Sequence, residues 1–130
     1  MKTDRYKRGW ETLKGIDPHA GEGLIEELKD IAPDLARFTI EFPFGDIYSR
    51  GVLSLREREI VTLSALAALG NAGPQLKAHI HNALNVGCTR QEVVEIMIQM
   101  AVYAGFPAAL NGIAMTKEVF TERDTAGQTN

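Results

Sequence analysis

The chain holds one cysteine, Cys88, in 130 residues. A single thiol excludes an intramolecular disulfide and any zinc site built on cysteines within one chain. Basic residues are not in excess: 14 Lys and Arg stand against 17 Asp and Glu, for a net charge of −3. That balance speaks against nucleic acid and against an anionic membrane surface as partners. Long apolar runs are missing too. The longest, residues 100–110, is interrupted by Gly105 and Pro107, whereas a spanning helix needs roughly 20 apolar residues. The opening MKTDRYKRGWETLKG is charged throughout and lacks the apolar centre of a signal peptide. The expectation is a soluble, cytoplasmic protein.

What is there is ordinary globular composition, with 45% hydrophobic and 24% charged residues. A chain of this length makes one domain and buries roughly two thirds of its unfolded surface, enough for a core without staples. The punctuation suits helices, and no segment shows sustained strand alternation with hairpin signals. Helices are expected over 4–14, 21–31 and 33–42, with a break at Phe42-Pro43-Phe44-Gly45 and a helical turn at 46–49. Ser54-Leu55-Arg56-Glu57 reads as a capping box opening a helix to Leu69, with Gly70 past its end. Pro74 starts a helix that Gly87 closes. Thr89-Arg90-Gln91-Glu92 is a second capping box, opening a helix to Ala104. Pro107 starts the last, ending near Phe120, and the polar TERDTAGQTN is expected to fray. The class is all-α, a bundle of six or seven helices within one domain whose core covers about 4–120.

Helix faces narrow the search. In residues 90–104, Val93, Val94, Ile96, Met97, Ile98, Met100, Ala101 and Ala104 cover most of the circumference. Such a helix is either central to the domain or packed against by other subunits. On the helix from Leu55, Glu59 lies among Leu55, Leu63 and Leu66. A carboxylate there would be stripped of water and equipped for proton transfer. Near the helix start it would equally suit the macrodipole and pair with Arg56 or Arg58.

His79 and His81 share one helix but point roughly 200° apart, so one chain cannot clamp one metal with both. No metal site is expected. His79 flanks the apolar face of Leu76 and Ala83. It is either an acid or base in a buried polar pocket, suited by an ordinary imidazole pKa of about 6.5, or a core-edge side chain satisfied by a backbone carbonyl. Cys88, between Gly87 and the cap Thr89, is either an activated thiol near a helix start or a small buried apolar group. Phe42, Phe44, Tyr48, Tyr103 and Phe106 could line a pocket or fill the core.

The segments REREIVTLSALAAL and LKAHIHNALNVGCTRQEVVEIMIQMAVYAGFPAALNG, with APDLARFTIEFPFGDIYSRGVL upstream, closely resemble the carboxymuconolactone decarboxylase family. The resemblance covers about residues 4–120. It is most specific at His79 with Ala83 and Gly87, and in the block from Tyr103 to Asn111. It implies an alkylhydroperoxidase D-like helical fold, a homotrimer or homohexamer, and a role in aromatic catabolism. The reaction implied converts 4-carboxymuconolactone to 3-oxoadipate enol-lactone and carbon dioxide. The redox branch of this superfamily carries Cys-x-x-Cys-x-x-x-His. Aligned on His79, its cysteines would fall at Ala72 and Gln75, so both thiols of a peroxiredoxin-type activity are absent.

Glu59 and His79 look like the proton relay of that branch, with a spacing one residue longer. Decarboxylase-like members often carry arginine where this chain has His81, and a guanidinium grips carboxylates better than imidazole. On this resemblance His79 donates the proton, Glu59 orients it and Tyr103 binds the developing oxyanion. His81, Arg50 and Arg58 are the carboxylate-binding candidates, and the conjugated lactone carbonyl acts as electron sink, so no cofactor is required. The rival readings are a vestigial thiol peroxidase and a non-catalytic oligomeric binding or stress protein.

Overall fold

The computed structural model describes residues 2–130, and all regular structure among them is helical. The α-helices are α1 (Asp4–Ile16), α2 (Ala20–Leu28), α3 (Pro33–Thr39), α4 (Leu55–Leu69), α5 (Gly73–Asn85), α6 (Arg90–Tyr103) and α7 (Phe106–Thr125). A π-helix, Ile40–Tyr48, follows α3. Contacts gather in two compact units, one ending at Leu55 and the other beginning at Arg56. No helix among the described residues is long and apolar enough to cross a membrane.

In the first unit the Thr3 hydroxyl caps α1 by accepting from the Tyr6 N–H at 3.1 Å. Tyr6, Leu13, Ile16, Ala36, Ile40 and Phe44 are buried. The break expected at Pro43 does not occur; the chain continues through it as the π-helix. A proline inside an α-helix clashes with the carbonyl four residues back, and the wider π-turn moves that carbonyl aside. The π-helix lies tight on α1 because glycines face each other. A Cβ on Gly9 would sit 2.1 Å from the Ile40 carbonyl oxygen, and one on Gly45 2.4 Å from the Arg5 oxygen. Side chains lock the contact: Arg8 Nε donates to the Gly45 carbonyl at 2.7 Å, and Arg5 Nε to Asp46 Oδ1 at 3.0 Å.

The second unit holds α4–α7. Its core joins Leu63 and Ala67 of α4, Leu76, Ile80, Ala83 and Leu84 of α5, Val93, Met97 and Met100 of α6, and Val119 of α7. The Thr89 capping box forms as expected: Thr89 Oγ1 accepts from the Glu92 N–H at 3.0 Å, and Glu92 Oε1 from the Thr89 N–H at 2.9 Å. Gly70 (φ 75°) and Gly87 (φ 109°) end α4 and α5 in the left-handed region, which disfavours side chains. Gly112 lets α7 approach α6: a Cβ there would lie 2.5 Å from Met97 Sδ.

Within this chain one face of α6, through Val93, Met97 and Met100, enters the core, while Ile98 is 53% and Val102 71% exposed, so the domain by itself does not enclose α6. The end expected for the last helix needs correction. α7 runs to Thr125, past the end expected near Phe120. Arg123, 2% exposed, explains the extension. It donates to the Asn130 carbonyl at 2.8 Å and to Asn85 Oδ1 at 3.1 Å, so the last residue is tied to α7 and α7 to α5.

The glycine contacts give opposite predictions for one substitution type. Gly9→Ala should lower stability by about 1–3 kcal/mol through overpacking. Gly23→Ala, in α2 with nothing within 4 Å of a Cβ, should raise it by up to about 1 kcal/mol. Equilibrium urea unfolding measures both, and a neutral Gly9→Ala would contradict the packing described.

Candidate functional site

Glu59, Leu63 and Ala67 recur at four-residue intervals along the buried face of α4. The carboxylate of Glu59 is thereby drawn into the core with its helix, at 0% exposure. A buried carboxylate without a partner costs several kcal/mol. The partner is His79, whose Nδ1 lies 2.9 Å from Glu59 Oε2. Of the two neighbouring arginines expected as partners of Glu59, Arg56 does not serve: it pairs with Glu92. His79 Nδ1 faces this carboxylate and not a backbone carbonyl.

α5 sets the imidazole in place. Leu76 and Ala83, three residues before and four after, are buried and anchor that side of the helix. The ring is half-buried, with its side chain 22% exposed. A carboxylate only accepts hydrogen bonds, so Nδ1 carries the hydrogen and donates it to Glu59. Nε2 then holds the lone pair in the neutral ring, and a transferable proton in the charged ring. Glu59 Oε1 is buried and accepts no hydrogen bond among the described residues, so it keeps acceptor capacity beside the imidazole.

Cys88 is buried and free. Burial pushes its thiol up, Arg56 opposes this, and the charges of Glu92 and Glu59 add to it. Of the two readings of this thiol, the structure fits the small buried group; a thiol held protonated is a poor nucleophile.

His81 faces other partners. Its Nε2 lies 2.8 Å from Glu122 Oε2, and Arg123 Nη1 donates to its Nδ1 at 3.1 Å. Since Nδ1 must accept, Nε2 carries the hydrogen, the opposite tautomer to His79. Both nitrogens are committed, which leaves His81 no free edge for a substrate carboxylate. Lys77 also reaches Glu122, and Lys77 first and His81 second hold that carboxyl below the usual range.

Tyr103 is 86% exposed, and its hydroxyl has no hydrogen bond among the described residues. Arg58, next to Glu59 on α4, is half-buried and has interactions of its own. Arg50 belongs to the other unit and is exposed. Neither the cavity of about 690 Å³ in the first unit nor the groove of about 660 Å³ along α5 and α7 includes Glu59 or His79.

Sequence reasoning missed Arg123, which sits in a run read as a polar tail. Its signal was the spacing Gly112, Thr116, Val119, Arg123, one buried stripe of α7. It also missed Glu41, a buried acid whose partners Arg5 and Arg37 come from two different helices.

A scan against protein-family models matches residues 33–118 to the carboxymuconolactone decarboxylase family. The chain is 33% identical over 120 residues to the 4-carboxymuconolactone decarboxylase of Acinetobacter baylyi, covering 91% of this chain and 88% of that protein. It is 26% identical over 117 residues to an uncharacterized 15.0 kDa protein from the nqo9-nqo10 intergenic region of Paracoccus denitrificans, covering 89% and 87%. With the nitrosuccinic acid decarboxylase npaB of Metarhizium robertsii it shares 26% identity over 88 residues, covering 68% and 61%.

The Cys88 environment predicts a thiol inert in the folded chain. Reaction with a disulfide reagent at neutral pH should be slower than in the urea-unfolded chain by about 10²-fold or more. Equal rates would show the thiol to be exposed.

Proposed function

The chain belongs to the carboxymuconolactone decarboxylase family, and from that premise we propose that it is a decarboxylase-like carbon–carbon lyase. Its substrate in this reading is 4-carboxymuconolactone or a related small unsaturated acid or lactone. The observation that carries the reading is the 2.9 Å bond between buried Glu59 and His79. It leaves one imidazole nitrogen free to move a proton.

Decarboxylation breaks the bond between the carboxylate and the ring carbon and releases carbon dioxide. The electron pair of that bond moves into the conjugated lactone and becomes a dienolate. The charged His79 gives its Nε2 proton to carbon, forming the enol-lactone, and regains one from solvent. Glu59 keeps Nδ1–H in place and stabilises the charged ring in the interval. Arg58, beside Glu59 on α4, remains the candidate for holding carboxylates; Arg50 belongs to the other unit. His81 is withdrawn by Glu122 and Arg123, and the Tyr103 hydroxyl has no hydrogen bond among the described residues.

Self-association belongs to the same proposal, as a trimer or hexamer. Ile98 and Val102 on α6, and Phe106 and Leu110 on α7, are exposed four residues apart on each helix. Apolar surface of this kind is typical of contact faces.

Direct assay of 4-carboxymuconolactone loss tests the reading. The chain should consume it, and His79→Ala should cut turnover by about 10²-fold or more while the helical circular dichroism is unchanged. Glu59→Gln should cut it less, since an amide still accepts from Nδ1–H. No consumption by the unaltered chain rejects this lactone as substrate; equal turnover by His79→Ala removes His79 from the chemistry.

A further inference from the structure

The first unit contains an open cavity of about 690 Å³ that shares no residue with the Glu59–His79 pair. Its size is within the range of small-molecule sites, about 300–1,000 Å³. Its walls are the Tyr6 ring of α1, Ile25 of α2, and Pro33 and Ala36 of α3. Tyr6 and Ala36 are buried, and Ile25 is exposed at 37%. The body of a ligand would therefore meet apolar surface.

The charges on this lining are unequal. Lys2, Lys29 and Arg37 oppose a single carboxylate, Glu41. That carboxylate is already engaged at both oxygens: Oε1 lies 3.3 Å from Arg37 Nη1, and Oε2 3.4 Å from Arg5 Nη1. A cationic ligand would have to compete with two guanidinium groups. The ammonium groups are less committed. Lys29 pairs with Glu26 at 2.7 Å, but both side chains are more than half exposed, at 51% and 71%, and such pairs contribute little and exchange readily. Lys2 has no carboxylate partner among the described residues; its ammonium lies 4.9 Å from the Tyr6 ring centre and 5.7 Å from that of Trp10. Burial first, then the Glu41 charge, raises the Tyr6 phenol, so it keeps its proton and can donate.

We propose that this cavity is a binding site for a small amphipathic carboxylate. The apolar body lies against Tyr6, Ile25, Pro33 and Ala36, and the carboxylate meets Lys29 and Lys2 at the rim. The cations supply the preference for an anion, and the walls supply the affinity.

The single tryptophan makes the test direct, because Trp10 stacks on Tyr6 with ring centres 6.1 Å apart. Octanoate is titrated into the full chain while Trp10 fluorescence is followed, with octanamide as the uncharged control. Octanoate should give a saturable change with a dissociation constant in the low millimolar range or below, and octanamide should bind about tenfold more weakly. Lys29→Glu should weaken octanoate by about tenfold, and Ile25→Asp, which puts a carboxylate on the wall where the apolar body lies, should weaken it by at least as much. Both sites are exposed, so the urea midpoint should hold in each; Lys29→Gln is the milder second variant. The proposal is overturned if octanoate shows no saturation up to about 10 mM, if octanamide binds equally well, or if either Lys29→Glu or Ile25→Asp leaves the titration unchanged.

Discussion

A carboxylate with no exposed surface is the constraint around which the second unit is arranged. Glu59 occupies the first position of a stripe that otherwise reads as apolar, followed by Leu63 and Ala67. Water cannot solvate it there, so the fold must answer its charge from within. The answer comes from α5, twenty residues on, through His79 Nδ1. Helix α5 is therefore positioned by its apolar residues and by one polar bond. That bond also chooses the tautomer of the ring, and so turns a structural necessity into a chemical one.

The two sides of α5 show how one helix separates two kinds of histidine. On one side His79 spends a single nitrogen on a buried acid. On the other, His81 spends both, one on Glu122 and one on Arg123. The second arrangement anchors α7, because Arg123 also holds Asn85 and Asn130. Two residues apart in sequence, the rings thus adopt opposite tautomers with different consequences: one remains open for proton transfer, the other is a fixture.

Much of this was legible in the residue order. Thr89 with Glu92, and the glycines at 70 and 87, mark helix ends by rules that act within a few residues, and those ends fell where expected. The opposite directions of His79 and His81 follow from helical geometry alone. The Glu59–His79 bond was less legible, because position on α4 fits an arginine pair equally well and only the packing of two helices decides between them. The π-helix through Pro43 was hidden for the same reason: local rules favour a break, while the close approach of Gly9 and Gly45 makes continuation possible. Arg123 looked like part of a solvated tail, since burial of a guanidinium depends on acceptors from α5 and from Asn130 that no local pattern announces.

The most direct measurement of the central claim is nitrogen NMR of the histidine rings in uniformly labelled protein, with the pH raised until the ring signals stop moving and each tautomer can be read. His79→Gln and His81→Gln samples assign the signals. The account predicts that His79 is protonated at Nδ1 with Nε2 bare, and that His81 is protonated at Nε2 with Nδ1 bare. A His79 ring carrying its proton on Nε2 would contradict it, because Glu59 would then not be its acceptor and no free nitrogen would be presented for proton transfer.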